Sequence, residues 1–374
     1  KRFIFMNIGI ITLPLNVNYG GILQAYALQT VLKKMGHKVE VLEEPKKDSK
    51  TPLFVYIKRI VKKCLGKKSI INYNGFMKKW EPIVSKDILR FINLYIKKRI
   101  ISFDDLKETD FEAYVVGSDQ IWRPKYCSNI LHSYLDFTKG WNIKRIAYAA
   151  SFGINTWSYT EKETEICKSL IKQFNLVTVR ELSAVGLCRK YLDINAINVL
   201  DPTFLLDKCE YQRLIADYKV SNSHFIFSYL LDETKEKLDL LEKISMIKEL
   251  PIHKIKLEND LSKLSGKKLA KLRYPSIQQW LAAFAQADFI LTDSFHGTVF
   301  SIIFNKPFIS IANKGRGITR FHSLLKVFGL ENRLIFEEQG ISKEMLSESI
   351  DFNKINAIMS AERNKSFKLL KEQL

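Results

Sequence analysis

The stretch DFILTDSFHGTVFSIIFNKPFISI, Asp288 to Ile311, sets a single imidazole where one apolar run gives way to another. The first run, FILT, has strand length, and the second, beginning near Gly297, has helical length. A strand feeding a helix delivers Asp293, Ser294 and His296 to the strand's carboxyl edge. The unsatisfied N–H groups of the first helical turn and the positive end of the helix dipole point at the same spot. Such a place receives a phosphate or a carboxylate, with Ser294, Gly297 and Thr298 around it. His296 beside a bound anion can pass a proton near neutral pH. The plainer reading is a histidine packed at a helix start and bonded to a backbone carbonyl; the Asp-Ser-x-His-Gly-Thr setting favours chemistry.

Other groups fall at comparable junctions. NVNYGG places Asn18, Tyr19, Gly20 and Gly21 between the first strand and the first helix, where nucleotide-binding glycine loops lie. It lacks the GxGxxG spacing, so a tight turn and a ligand contact are equal readings. VVGSDQIW brings Ser118, Asp119 and Gln120 to another strand end; Asp119 either accepts a proton from a sugar hydroxyl or caps a helix. Arg180 ends LVTVR and either grips a carboxylate through both nitrogens or pairs with Glu181. Lys314, Arg316 and Arg320 in NKGRGITRFHSLL form a basic, glycine-punctuated segment that reads better as a phosphate grip than as a solvated loop.

The elements that would position these residues alternate between strand and helix. FIFMNIGIIT, ILQAYALQTVLKKMG and HKVEVLEE make a βαβ opening, and AYVVGSDQIW, RIAYAASFG, LVTVR and AINVLDPTFLL continue it with helices between. A second series runs from HFIFSYLL through DFILTDS to PFISIA. Alternation of this kind predicts parallel sheets, so the expected fold class is α/β with two Rossmann-like domains facing across a cleft. The expected boundaries are 1–207 and 208–374, with a Lys-rich helical insertion over about 45–110 and a last helix, about Asn353 to Leu374, packing back on the first domain. Open parallel sheets bind ligands outside their strand carboxyl ends, so the cleft is where function is expected.

Composition narrows the classes. The 374 residues exceed one comfortable core, and no run approaches the roughly 18 to 20 uncharged residues that cross a bilayer. Five cysteines at 64, 127, 167, 188 and 209 form no CxxC pattern and fit a reducing cytoplasm; the six histidines show no metal spacing, so no metal or cofactor is expected. The chain opens on Lys1, and nothing in it has the look of a targeting leader. A net charge of +19 would draw phosphates, acidic glycans or anionic lipid, although lysine-rich solvated helices explain it equally well. No nucleic-acid motif is present. The insertion, LFVYIKRIVKKCLGKK, has a basic amphipathic look that suits either a membrane surface or a solvated face.

NYGGILQAYALQTVLKKMGHKVEVL, VVGSDQIW, YAASFG, VRELS, VLDPTFLL, WLAAFAQADFILTDSFHGTVFSIIFNKPFI and RFHSLL, taken in order, resemble the polysaccharide pyruvyl transferase family, from about Ile8 to Leu330. The resemblance implies a fold similar to GT-B glycosyltransferases and phosphoenolpyruvate as donor. It also implies an acceptor hydroxyl or vicinal diol on a cell-surface glycan or its lipid-linked precursor, and as product a pyruvate ketal, or an enolpyruvyl ether where reaction stops early. The first domain would serve the acceptor and the second the donor. Family members carry an Arg, a hydrophobe and a His at the end of this strand. Here the His is His296, but Ser294 holds the Arg position, and Lys314, Arg316 or Arg320 could stand in for it. Arg180 falls where the family has a donor-binding arginine. The expected chemistry is protonation of the donor by His296 with Asp119 relieving the acceptor of its proton, in the cytoplasm and in peripheral contact with the inner face of the membrane. The rivals are glycosyl transfer from a nucleotide sugar on the same frame and a non-catalytic glycan- or phosphate-binding module.

Overall fold

The structure, a computed structural model, describes residues 5–45, 53–65, 70, 72–127, 129–220, 224–255, 257–258, 260–312, 317–336 and 341–374. The first series runs β1 (Asn7–Ile11), α1 (Tyr19–Lys34), β2 (Lys38–Glu43), α2 (Leu53–Cys64), α3 (Tyr73–Val84), α4 (Lys86–Tyr95) and β3 (Lys98–Ile100). It continues with β4 (Ala113–Val116), β5 (Lys144–Ala150), α5 (Glu161–Ile171), β6 (Leu176–Val179), α6 (Leu182–Leu187) and β7 (Ile197–Asn198). The second series begins with α7 (Lys208–Leu214), β8 (Ile226–Tyr229), α8 (Lys235–Lys248), β9 (Ile252–Lys254), α9 (Gly266–Lys271) and α10 (Ile277–Gln286). It ends with β10 (Phe289–Thr292), α11 (Phe295–Ile303), β11 (Phe308–Ile311), α12 (Ile318–Phe328), β12 (Leu334–Ile335), α13 (Lys343–Ser347) and α14 (Phe352–Gln373).

These strands form two sheets, ordered β3-β2-β1-β4-β5-β6-β7 and β12-β11-β10-β8-β9. Neighbours pair in parallel throughout. Helices cover both faces, so β4, β8, β10 and β11 are buried along their whole length and read as continuous rather than alternating apolar runs. The expected α/β class with two Rossmann-like sheets is what the chain adopts. In each sheet the chain winds outward one way and then returns to wind the other, which leaves a crevice between β1 and β4 and another between β8 and β10.

Two expectations change in detail. The segment over about 45–110 carries α2, α3 and α4 but also ends in β3, which pairs with β2 from Val41↔Lys98 to Glu43↔Ile100. A three-residue edge strand of sequence KRI carries too much charge and too little length to signal itself. The NYGG segment is neither a glycine loop nor a tight turn but the first turn of α1. Asn18 is its N-cap and accepts from the Gly21 amide at 3.2 Å, which starts the helix earlier than the apolar spacing indicates.

The two units touch through α1 and α11. Tyr19 stacks on Trp280 of α10 with centroids 5.4 Å apart, and its hydroxyl donates to Pro275 O at 2.6 Å. Gly20 abuts His296 so closely that a Cβ on it would overlap the imidazole. On the far side Gly317, at φ +84, caps α12 in a left-handed conformation and lies against the carbonyl of Gly153. At the chain's end α14 returns to the first unit, where Arg363 Nε donates to Phe204 O at 2.8 Å and its Nη1 pairs with Asp207.

Gly20→Ala should push α1 away from His296 and cost about 1–3 kcal/mol, as overpacking of a filled interior does. A thermal melt unchanged from that of the parent protein would show that the two units do not meet there.

Candidate active site

The crevices of the two sheets open onto one cleft of about 370 Å³. After β1 come Asn16, Asn18 and Gly20; after β4, Asp119 and Gln120; after β8, Leu231; and after β10, Ser294 and His296. Arg320 of α12 and Trp280 of α10 complete the wall.

His296 lies in the first turn of α11, and Ser294 caps that helix by accepting from the Gly297 amide at 3.3 Å. One of the N–H groups expected to face an anion is therefore already met. The amides of Phe295 and His296 remain ahead of the first helical acceptor. The ring is 7% exposed yet lines the cleft. Its Nδ1 is the nitrogen beside Gly20, while Nε2 lies 3.5 Å from Asp201 Oδ2, an ion-pair distance without a hydrogen bond.

Asp201 is the centre of what lies beneath. It is fully buried, and its Oδ1 accepts from the amide and hydroxyl of Thr203 at 3.0 and 2.8 Å. Its Oδ2 accepts from Ser118 Oγ at 3.0 Å and from Arg180 Nη1 at 2.7 Å. Burial by itself would raise the Asp201 carboxyl, but the imidazole of His296, the Arg180 guanidinium and the Thr203 amide outweigh it and hold the group well below the usual carboxylate range. Arg180 also reaches Asp119 Oδ1 at 3.5 Å, and Asp119 Oδ2 accepts from Asn18 Nδ2 at 3.4 Å. Burial works against the charge of Arg180, and the carboxylates of Asp201, Asp119 and Glu181 more than offset it. A chain of charge thus runs from His296 through Asp201, Arg180 and Asp119 to the start of α1.

The conformation of Asp119 belongs to this chain. Its φ of 61 puts a non-glycine residue in the left-handed region, which Asp tolerates better than most and which turns its carboxylate toward Arg180. Two guanidiniums lie over the phenyl ring of Phe295, Arg180 4.6 Å and Arg320 5.2 Å from its centroid. Burial, and then the charge of Arg180, bring Arg320 down to about 10, which leaves it a cation at neutral pH on the cleft wall.

The structure brings Asn18, Gly20, Asp119, Gln120, Ser294, His296 and Arg320 together around the cleft. Others expected there do not line it. Tyr19 is turned into the interface with Trp280, and Ser118 and Arg180 are spent on Asp201. Gly21 lies behind Asn18, and Gly297 packs on Thr292. Thr298 is held inside the helix layer, its hydroxyl shared between Ser294 O at 3.2 Å and Ser310 Oγ at 2.6 Å. Arg180 does not pair with Glu181, whose Oε1 instead accepts from Ser151 Oγ, Phe152 N and Gly153 N. Lys314 and Arg316 lie outside the described residues.

Sequence reasoning missed Asp201, whose only signal is the Asp-Pro after a strand in VLDPTFLL. It also missed the buried pair of Asp293 with Lys237 at 2.8 Å, which with the amides of Leu231 and Asp232 ties the loop after β8 to the end of β10. Among the described residues no cluster of His, Cys, Asp and Glu could hold a metal ion.

Comparison with known proteins agrees with this architecture. Arabidopsis thaliana UGT89C1, solved with UDP-L-rhamnose, superposes with a TM-score of 0.50 at 10% identity, over 97% of this chain and 94% of that one. UDP-GlcNAc 2-epimerases also match. The Neisseria meningitidis protein does so with a TM-score of 0.48 at 10% identity over 97% and 94% of the chains. The Methanocaldococcus jannaschii protein gives 0.47 at 14% over 95% and 92%. At such identities the likeness is one of fold, a GT-B-like pair of sheets. No curated protein matches the sequence significantly. The sequence model of the polysaccharide pyruvyl transferases matches residues 18–315, most of the chain, with β4, β8 and β10 of the strands that border the cleft, and the chain belongs to that family.

Proposed function

We propose that this transferase moves pyruvate from phosphoenolpyruvate to hydroxyls of a glycan. The observation that carries the reading is the imidazole of His296, set between a buried carboxylate and a cleft that also holds a guanidinium and a helix start. The unit over residues 208–374 would hold the donor and that over 1–207 the acceptor. Arg320, the Ser294 hydroxyl and the first amides of α11 face the phosphate and carboxylate. This arrangement offers Arg320 in place of the Arg that Ser294 replaces. Arg180 supports from behind by fixing Asp201 and Asp119.

The steps follow from these positions. With Nε2 turned to Asp201, His296 gives the proton on Nδ1 to the methylene carbon of the donor, which becomes a methyl group, and carbon 2 becomes electrophilic. Asp201 stabilises the imidazolium that must precede this transfer. An acceptor hydroxyl oxygen adds to carbon 2 as its proton passes to Asp119. The bond from carbon 2 to the phosphate oxygen then breaks, and a second hydroxyl of the same sugar adds to carbon 2, its proton leaving with inorganic phosphate. The products are a ketal and one phosphate. Asn18, Gly20 and Gln120 stand where the acceptor would approach.

His296→Ala should lower transfer of label from phosphoenolpyruvate by about a hundredfold or more, the usual worth of a positioned acid, while the circular dichroism spectrum stays that of the parent. Turnover close to the parent's would sink the assignment. Asp201→Asn keeps the shape and the Thr203 bonds, but sets an amide nitrogen where Oδ2 accepts from Ser118 and Arg180 and removes the charge beside the imidazole. Transfer of label should therefore fall by about tenfold or more, because the imidazolium loses its counter-charge. Turnover equal to the parent's would reduce Asp201 to a packing role.

A further inference from the structure

We propose that α2 and α9 form a docking face for an anionic lipid surface at the rim of the cleft. The face begins with α2, which leaves Phe54, Ile57, Val61 and Leu65 exposed at 71%, 51%, 50% and 68%. Their spacing of three, four and four residues puts all four on one side of a helix. Elsewhere on the described surface large apolar side chains are exposed mostly one at a time, which is ordinary; four in a row along one helix are not. The opposite side of α2 is used for folding: Arg59 lies over the ring of Tyr73, 5.3 Å from its centroid, and fixes α2 to α3.

Charge selects the occupant. Lys58 is exposed beside the stripe. α3 packs on α9, where Trp80 lies against Gly266. α9 in turn exposes Lys267, Lys268 and Lys271. An apolar stripe flanked by lysines fits the boundary between acyl chains and anionic headgroups. It does not fit a second copy of this chain, which would bring like charges of a +19 protein together. No helix among the described residues is long and apolar enough to cross a membrane, so the contact is interfacial.

The place of this face is informative. The three lysines of α9 border a groove with Glu258, and Tyr274 Oη donates to Glu258 O at 2.8 Å. The neighbouring residue, Leu257, lines the catalytic cleft. A glycan attached to a lipid would therefore enter the cleft from the side that rests on the bilayer. That last point rests on the function proposed above, whereas the docking does not depend on any donor.

The test is sedimentation of the full chain with vesicles of phosphatidylcholine alone and with vesicles that also contain phosphatidylglycerol, with no donor or acceptor present. Binding is expected only to the phosphatidylglycerol vesicles, falling as salt is raised. The double variant Ile57→Ser with Val61→Ser, and separately Lys267→Glu with Lys271→Glu, should each bind at least about tenfold more weakly with unchanged thermal melts. Absence of binding, equal binding by the variants, or a dimer that the serine variant dissociates while vesicles remain unbound would overturn the proposal. Because sedimentation reads no chemistry, these failures leave pyruvyl transfer standing.

Discussion

A guanidinium held between two carboxylates in a dry interior constrains the rest of this molecule. Arg180 gives one nitrogen to Asp201 and turns another toward Asp119. Taking three charges from water costs several kcal/mol per ion, and mutual attraction repays this only if the geometry is kept. The arrangement therefore contributes less to stability than to uniqueness: a small displacement of β4, β6 or the segment after β7 would leave a buried charge without its partner. His296 enters this network from the other unit and is placed by it. Both guanidiniums, Arg180 and Arg320, lie over the ring of Phe295, which ties the cation on the cleft wall to the buried network.

The two parallel sheets supply the frame on which this is possible. Every residue of the network follows a strand end or begins a helix, and β4 and β10 among the strands that deliver them are buried on both faces and cannot slip in register without exposing a core. The bulge in β5, where the pairing shifts between Ala147 and Ala150, turns the chain so that Ser151, Phe152 and Gly153 converge on Glu181. That carboxylate is thus consumed by the loop after β5, which leaves Arg180 to Asp201. Gly153 then receives Gly317 from the second unit. A local irregularity in one sheet in this way sets both a charge partner and a contact between the units.

Much of this was legible in the residues and some was not. The alternation of strand and helix gave the class and the two sheets because buried parallel strands are written as continuous apolar runs. His296 could be placed at a strand end for the same reason. β3 could not be read, since KRI has neither length nor pattern. The start of α1 was misjudged because a pair of glycines outweighed the capping signal of Asn18. Asp201 stayed hidden because its partners are distant in sequence, and an Asp-Pro pair reads as a turn. Arg180 looked like a ligand grip because sequence shows a charge but not the opposite charges that folding brings to it. Thr298 sat in a suggestive motif, and only the packing of α11 on β11 shows that its hydroxyl belongs to Ser310.

The return of α14 to the first unit has a mechanical meaning. The chain passes between the units once near residue 207 and again along this last helix, and the two passages are joined where Arg363 meets Phe204 and Asp207. A body linked to another at two adjoining points cannot slide freely against it; it can only swing about a line through them. Rocking of the halves would then pivot at this clasp, with the greatest travel at the parts of the rim that lie farthest from it.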